Sequence, residues 1–341
     1  YVRIEDPAGI TELGERGAAL RARVMVHDAA FYTAVAARGS VGAAGADMEG
    51  LWSCDDLVAL VRILVLNRAL LDGLEGGAAR FAGWLLRAAH ALRRNTLSGS
   101  RRNIAAHYDL GNEFFELFLS DDLMYSSALW DGPNDTLAQA SERKLARICA
   151  RLELSPADHV LEIGGGWGGF ALHAAARHGC RVTTTTISRE QQHLTLERVR
   201  RAGLVDRITV LLEDYRSLTG RYDKLVSIEM IEAIGAEYLP DYFAQLGRLL
   251  SHSGLALVQA ITIEDHRYEQ ALRSVDFIKR HVFPGSFIPS VHAMLAAKTR
   301  ACELALIELE DFGLSYARTL EAWREALLAR RAEARAPGFA E

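Results

Sequence analysis

The sequence predicts an α/β protein in which a doubly wound sheet follows a smaller N-terminal domain. From residue 158 onward, apolar runs of strand length alternate with amphipathic runs of helix length, an order typical of βαβ units and a parallel sheet. A glycine-rich turn at residues 164–169 joins the first apolar run to the next helical run. The 341 residues are 50% hydrophobic, which is enough to bury a sizeable core.

Each element of the sheet is predicted from this alternation. The expected strands are His159–Ile163, Arg181–Ile187, Arg207–Leu212, Asp223–Ile228, Gly254–Ile261 and Glu303–Leu309. The expected helices are Gly168–His178, Arg189–Ala202, Tyr238–Leu250, Arg267–Lys279 and Ser315–Arg331.

The first 95 residues are rich in Ala, Arg and Leu and form the expected accessory domain. A Gly/Ala-rich stretch from Gly39 to Gly50 precedes a helical run from Asp55 to Leu71, which Asp55 or Asp56 can cap by accepting backbone N–H bonds. Small polar residues near residue 96 then break the periodicity. We therefore predict an N-terminal domain at 1–95, a linker at 96–102 and a second domain at 103–341.

Composition excludes several classes of protein. A net charge of -5 disfavours a nucleic-acid partner. The four cysteines have no spacing typical of zinc binding, so we expect no metal site and a reducing, cytoplasmic location. The longest apolar stretch, Leu57–Leu66, is much shorter than the roughly 20 residues that span a bilayer, and no secretory leader pattern is seen.

The glycine turn differs from a dinucleotide-binding loop. It lacks the G-x-G-x-x-G spacing with an acid at the end of the next strand, and its acid, Glu162, precedes the glycines. This order resembles the first motif of class I S-adenosylmethionine (SAM) methyltransferases. In that class a carboxylate near the loop helps to hold the methionine portion of SAM, and an acid at the position of Asp214 lies near adenine.

Further sequence motifs flank the predicted sheet. They are Asn103–Asn112 and Met124–Ser127 before it, and Glu229–Gly235, Asp276–Gly285, Ile288–Ser290 and Tyr316–Leu320 after its first strands. Together they resemble the cyclopropane-fatty-acyl-phospholipid synthase family and its mycolic-acid-modifying relatives, over nearly the whole chain. The opening domain resembles that family's lipid-associated domain. The expected fold is therefore a Rossmann-like SAM-methyltransferase sheet with a smaller N-terminal lipid-associated domain.

The resemblance also implies site residues. The positions expected to bind SAM are Tyr125, Ser126, Glu162, Gly164, Gly166, Thr186, Ser188, Gln191, Asp214 and Tyr215. The positions expected to act on the acceptor are Glu232, Tyr316, His107, Ser127, Gln259 and Ile261. In the family the base is a bound bicarbonate, and all of these acceptor positions except His107 match its cradle. Bicarbonate is therefore a second candidate cofactor.

The chemistry explains why such residues are needed. An isolated alkene is a weak nucleophile, so it must be held against the SAM methyl group in a water-poor pocket. Attack creates a carbocation, which a fixed carboxylate and aromatic faces can stabilise before a base removes a proton. This chain departs from the family at Ser127, Ala233 and Gln259, where Cys, His and His are common. Ser and Gln still offer hydrogen bonds to an anion.

The resemblance predicts cyclopropanation of an unsaturated phospholipid acyl chain, with release of S-adenosylhomocysteine (SAH). Alternatives are a methyl-branched or methylene product, small-molecule N- or O-methyl transfer, and a non-enzymatic lipid-binding role. Between Glu75 and Asp109 the chain has no acidic residue but carries Arg80, Arg87, Arg93, Arg94, Arg101 and Arg102. We therefore expect peripheral attachment to an anionic membrane surface at its inner face. The sequence leaves a homodimer open.

Overall fold

A computed structural model describes residues 1–67 and 111–335 of the chain. Contacts between Cα atoms divide these residues into two units, one of residues 1–67 with 270–284 and one of residues 111–269 with 285–335. The expected linker at 96–102 lies outside the described residues, so the predicted domain limits stay a prediction. The segment 270–284 groups with the first unit although its sequence position is within the expected second domain.

The first unit contains a four-stranded sheet and two helices. Its strands are β1 (Val2–Asp6), β2 (Gly9–Leu13), β3 (Ala22–Val26) and β4 (Trp52–Cys54), in the order β2-β1-β3-β4. β1 and β3 are parallel and the other two pairs are antiparallel. The helices are α1 (Ala30–Met48) and α2 (Leu57–Leu66). Alternate residues of β3, including Val24 and Val26, are buried against Trp52, which places one face of the sheet in a core.

Two local predictions for this unit have clear outcomes. The Asp56 side chain accepts a 2.9 Å hydrogen bond from the Ala59 backbone N–H, which confirms it as the cap of α2. The Gly/Ala-rich stretch forms most of the second half of α1. The helix is interrupted at Gly39, where φ is 55° and ψ is -135°, a conformation that glycine tolerates.

The second unit contains the predicted parallel sheet. Its strands are β5 (His159–Ile163), β6 (Arg181–Thr186), β7 (Ile208–Leu212), β8 (Tyr222–Ile228) and β9 (Leu250–Gln259). All neighbours are parallel, in the order β7-β6-β5-β8-β9. The chain begins at the central strand, moves out to one edge and returns to the other side. This arrangement confirms the doubly wound fold class.

Helices cover both faces of this sheet. The helices between residues 111 and 335 are α3 (Asn112–Phe115), α4 (Leu137–Arg151), α5 (Gly169–His178), α6 (Arg189–Arg201), α7 (Leu239–Leu249), α8 (Asp265–Leu272), α9 (Val291–Ala301), α10 (Gly313–Ala329) and α11 (Arg331–Ala334). Leu161 and Leu225 belong to the core cluster that includes α7, whereas Val160 and Val226 belong to the cluster that includes α4 and α5. Successive strand residues thus face opposite layers. Across the described ranges, none of the helices has the length and apolar character to cross a membrane.

Two predicted elements are wrong in whole or in part. Glu303–Leu309 is not a strand, and its residues Leu306 and Ile307 are 54% and 77% exposed. This segment is instead tied to α4 by an Arg151–Glu308 ion pair of 2.7 Å. The predicted helix Arg267–Lys279 ends at Leu272, and a π-helical turn at Ile278–Val282 follows.

The predicted helix Arg267–Lys279 is interrupted because a side chain competes with the helix for a backbone N–H group. The Asp276 carboxylate accepts a 2.8 Å hydrogen bond from the Lys279 backbone N–H and so begins a separate turn. The Lys279 ammonium group then donates to the backbone carbonyl oxygens of Ala271 and Ser274, which bridges the two turns.

Candidate active site

The carboxyl ends of β5 and β8 lie side by side in the middle of the second sheet. β5 pairs with β6 on one side and with β8 on the other, so the direction of winding reverses between β5 and β8. In open α/β sheets the loops at such a reversal point leave a crevice between them, and ligands bind there. The glycine turn follows β5, and residues 229–235 follow β8.

The glycine turn is in close contact with the neighbouring strand ends. A Cβ at Gly164, where φ is +81°, would lie 2.6 Å from the Met230 Cγ, and a Cβ at Gly165 would lie 1.9 Å from the Thr184 Oγ1. Gly166 differs, because φ is +54° there but a Cβ would have no atom within 4 Å of it. The turn therefore excludes side chains on its packed side and has space in front of Gly166.

Glu162 is buried next to this turn. Its carboxylate accepts a 2.6 Å hydrogen bond from the Thr184 hydroxyl of β6. Burial raises the pKa of the Glu162 carboxyl to about 7, while the Thr184 hydrogen bond and the charge of Lys144 oppose the rise. A cation bound in the crevice would therefore stabilise the ionised form.

Lys144 is a buried cation that the sequence analysis missed. It lies on α4, and its ammonium group donates a 2.6 Å hydrogen bond to the Ser126 hydroxyl. Burial lowers the pKa of Lys144 to about 8, although the negative charge of Glu229 and two other carboxylates opposes this. In the sequence Lys144 follows Arg143, and no pattern distinguishes the buried cation from its neighbour.

The last residue of β6 and the residues that follow it form a polar network. The Thr186 hydroxyl donates a 2.7 Å hydrogen bond to the Gln191 Oε1. The Ser188 hydroxyl caps α6 by accepting a bond from the Gln191 backbone N–H at 3.3 Å. All three residues are buried, so their positions are fixed before any ligand binds.

Asp214 follows β7 and is bound by an arginine. Arg216 donates to the two carboxylate oxygens of Asp214 at 2.8 and 2.7 Å, which is the bidentate geometry of a strong ion pair. The Arg216 guanidinium also lies over the rings of Tyr215 and Tyr238, 5.5 and 5.6 Å from their centroids. The Tyr215 ring packs against the core residue Tyr242.

Tyr125 lies in an aromatic cluster. Its ring centroid is 5.3 Å from Phe115 and 5.2 Å from Trp323, and Phe115 also packs on Trp167 of the glycine turn. The cluster links the Met124–Ser127 string to α10 through ring packing. It gives the loop that carries Tyr125 and Ser126 a rigid apolar support.

The acceptor residues Ser127 and Gln259 meet at a carboxylate that the sequence analysis did not assign. Glu229 Oε1 accepts hydrogen bonds from the Ser127 backbone N–H at 2.9 Å and from the Gln259 Nε2 at 2.8 Å. The Glu229 backbone has φ +47°, which is rare for a residue with a side chain. Glu229 begins the sequence motif that carries Glu232. Its strained backbone marks it as a candidate site residue, and the sequence alone does not reveal this strain.

Glu232 has one satisfied and one unsatisfied oxygen. Its Oε1 accepts a 2.5 Å hydrogen bond from the Ile261 backbone N–H. Its Oε2 is buried and has no hydrogen-bond partner in the described part of the chain. Burial raises the pKa of Glu232 to about 8, and the charge of Glu229 adds to the rise. Burial also raises the pKa of Tyr316 to about 12, with further contributions from the charges of Glu229 and Glu232.

The structure thus gathers five of the six expected acceptor residues around Glu229. The sixth, His107, lies outside the described residues. The expected SAM-binding residues lie in the Met124–Ser127 string and at the carboxyl ends of β5, β6 and β7. Their roles in binding stay predictions.

Three side chains with metal-binding atoms also lie close together. The ligand atoms of Cys149, His173 and His178 are within 4.8 Å of one another. Burial raises the pKa of the Cys149 thiol to about 12, which disfavours the thiolate that binds metals. Proximity alone therefore does not make this group a metal site.

Comparison with known proteins identifies the family. The family model described as mycolic acid cyclopropane synthetase matches residues 96–340. The chain belongs to this family. It is therefore a SAM-dependent methyltransferase of the class that transfers one-carbon units to lipid acyl chains, as the motifs predicted.

Two curated relatives and one solved structure illustrate the range of the family. The chain is 36% identical to tuberculostearic acid methyltransferase UfaA1 of Mycobacterium tuberculosis, over 86% of this chain and 70% of that protein. It is 35% identical to the cyclopropane-fatty-acyl-phospholipid synthase of Escherichia coli K12, over 94% of this chain and 80% of that protein. The mycolic acid cyclopropane synthase CmaA1, in complex with SAH and CTAB, is 28% identical with a TM-score of 0.64, over 69% of this chain and 85% of that one.

Proposed function

We propose that this methyltransferase adds the one-carbon unit of SAM to the double bond of an unsaturated phospholipid acyl chain and forms a cyclopropane ring. The observation that carries the proposal is the pair of half-buried glutamates, Glu229 and Glu232, next to the glycine turn at the reversal of the sheet. The similarity to the E. coli phospholipid enzyme extends over 94% of the chain, including the N-terminal region, and this supports a phospholipid substrate.

The charges in the site suit a cationic reaction. SAM brings a sulfonium, and attack by the alkene moves the positive charge onto the acyl chain. Burial raises the pKa of both Glu229 and Glu232, so their anionic forms are under-stabilised until a cation is present. Fixed carboxylates of this kind favour a developing cation without reorganisation, which lowers the barrier to its formation.

A methyl-branched or methylene-bearing product is the second candidate. It is favoured by the 36% identity to a tuberculostearic acid methyltransferase. The two outcomes share the carbocation and differ in which proton leaves. A saturated methyl branch would in addition require a reductant.

The test is the structure of the product from a defined phospholipid with one double bond. Proton NMR is expected to give the high-field signals of a cyclopropane and to lose the vinylic signals. Mass spectrometry alone does not decide, because a cyclopropane and a methylene product have the same mass. Retained vinylic signals on a lipid with one added carbon would assign a methylene or methyl-branched alkene product. Transfer to small amines or hydroxyls with the lipid unchanged would contradict the proposal.

We further propose that the enzyme attaches peripherally to the inner face of the membrane through its arginine-rich segment. Residues 80–102, which lie outside the described residues, carry six arginines and no acidic residue. Each arginine near an anionic surface contributes about 1 kcal/mol, screened by salt. Replacing Arg93, Arg94, Arg101 and Arg102 with Gln should reduce sedimentation with anionic vesicles far more than with neutral ones. If the folded variant binds both vesicle types as well as the parent does at low salt, the attachment belongs to another surface.

A further inference from the structure

We propose that Glu232, through its Oε2, takes the proton that leaves the alkylated acyl chain, in place of the bicarbonate that the resemblance implies. This inference rests on the proposed function. Three observations support it. The hydrogen-bond donors of the expected bicarbonate cradle already bond within the protein, the site carries negative charge, and one oxygen of Glu232 is unsatisfied.

The side-chain donors of the cradle are already used within the protein. Gln259 Nε2 donates to the Glu229 Oε1 at 2.8 Å and to the Ser127 carbonyl oxygen at 3.3 Å, which occupies both hydrogens of the amide. The Ser127 hydroxyl donates to the Ala128 carbonyl oxygen at 3.1 Å. Ser127 and Gln259, where Cys and His are common in the family, therefore use their side-chain donors in hydrogen bonds within the protein. Neither side chain presents a donor to an anion.

The backbone donor of the cradle is also used. The Ile261 N–H donates to the Glu232 Oε1 at 2.5 Å. Among the five cradle positions, the Tyr316 phenol and the Glu232 carboxyl in its protonated form remain to donate to an anion. Two hydroxyls, one of which exists only while Glu232 holds a proton, do not replace the several hydrogen bonds that a buried anion needs, so the residues present do not fit a bound bicarbonate.

The charge of the site also disfavours a bound bicarbonate. A bicarbonate ion would add a negative group beside Glu229 and Glu232, whose pKa values burial already raises. Lys144 is a buried cation whose charge acts on Glu229, but its ammonium group donates to Ser126. Placing a third negative group here is unfavourable when the nearby carboxylates are themselves poorly solvated.

Glu232 has what a proton acceptor requires. Its Oε2 is buried and unpartnered within the described residues, so a proton placed on it displaces no hydrogen bond. A pKa raised to about 8 makes the carboxylate a stronger base than an ordinary glutamate near neutral pH. The titratable groups that act on it are Glu229, whose charge raises its pKa, and the phenols of Tyr316 and Tyr242.

The reaction balances without another reactant. The alkene pair forms a bond to the SAM methyl carbon, and the carbon–sulfur bond breaks with its pair remaining on SAH. A C–H bond of the added methyl group then breaks, its pair closes the three-membered ring, and the proton goes to the Glu232 Oε2. Loss of that proton to solvent after product release restores the carboxylate.

The experiment measures turnover of the full chain with SAM and vesicles of mono-unsaturated phosphatidylglycerol, in carbonate-free buffer and with bicarbonate restored. We expect the two rates to agree within about twofold, whereas Glu232→Gln lowers kcat by about 100-fold or more with little change in SAM affinity. The parent's kcat should rise with pH through about 8, and this rise should be absent from the variant. Glu237→Gln, which changes an exposed glutamate of the same loop, is the matched control.

Two results would overturn the inference. One is a parent rate that collapses on carbonate depletion and recovers with bicarbonate, a measurement that does not depend on the variant folding. The other is a Glu232→Gln enzyme with the parent's kcat. A parent that binds SAM but makes no lipid product in either buffer would instead contradict the proposed function, and this inference with it.

Discussion

The two ends of the active site are built in opposite ways. At the cofactor end, Thr186 and Gln191 bond to each other and Asp214 accepts two hydrogen bonds from Arg216. At the acceptor end, burial raises the pKa of Glu229 and Glu232, and Glu232 Oε2 has no partner in the described residues. The Tyr215 hydroxyl of the cofactor end is also buried without a partner in the described residues, so the contrast concerns the carboxylates: Asp214 is paired with an arginine, whereas Glu232 Oε2 is unpartnered.

This difference assigns different tasks to the two ends. A satisfied network is rigid and holds a ligand without reorganisation, so it contributes to affinity. A pair of under-stabilised carboxylates gains most when positive charge develops beside it, so it contributes to the rate. Changes at the acceptor end should therefore alter kcat, and changes at the cofactor end should alter SAM affinity.

After that of Glu232→Gln, the largest expected effect is that of Glu229→Gln. The substitution removes one of the two negative charges while keeping the size of the side chain, so kcat should fall by about 100-fold with SAM affinity nearly unchanged. Because the charge of Glu229 raises the pKa of Glu232, the rise of the remaining kcat with pH should also move to lower pH. Steady-state kinetics across pH, with calorimetric titration of SAM, test both points. An effect on SAM binding as large as that on kcat would break the division of tasks.

The next effect is that of Gly166→Val at the cofactor end. The side chain would occupy the open space in front of the turn, so the dissociation constant of SAM should rise at least about tenfold if the ligand lies there. The control is Gly203→Val, because Gly203 also has a positive φ, +67°, with nothing within 4 Å of a Cβ, but follows α6 on the surface. Both variants carry the same backbone strain of about 1–2 kcal/mol. Equal SAM binding by the two variants would show that the turn is misassigned.

The smallest effect is on stability. The pKa values of Glu162 and Glu232 in the folded protein, about 7 and about 8, are above the ordinary value of 4.5. The stability that their neutral forms contribute is complete below about 4.5, is lost progressively as pH rises above that value, and is gone above about 8. The melting temperature of the ligand-free protein should therefore fall over this range, and less so in Glu232→Gln. Lys144 remains in both proteins, so its own titration does not affect the comparison. Identical pH dependence in parent and variant would mean that Glu232 titrates normally.

The sequence by itself determined the class of fold and most of the site. Alternating apolar and amphipathic runs specify a parallel sheet because its strands are buried on both faces, and the five strands from β5 to β9 confirm that prediction. The glycine turn with Glu162 before it, and the strings around Tyr125 and Glu232, predicted the family that the comparisons identify. These signals are local, since each depends on residues within a few positions of one another.

The tertiary structure decided what local signals do not contain. Lys144 looks like its neighbour Arg143 in the sequence, and burial in the second unit is what makes it a site cation. Parallel pairing of β8 with β9 brings Gln259 to Glu229, and Ser127, 102 residues earlier in the chain, donates to the same carboxylate. The apolar residues of Glu303–Leu309 predicted a strand, but a strand requires partners along a sheet edge, and this segment pairs with α4 instead. Desolvation and pairing act between residues far apart in the chain, which is why the sequence alone leaves them undetermined.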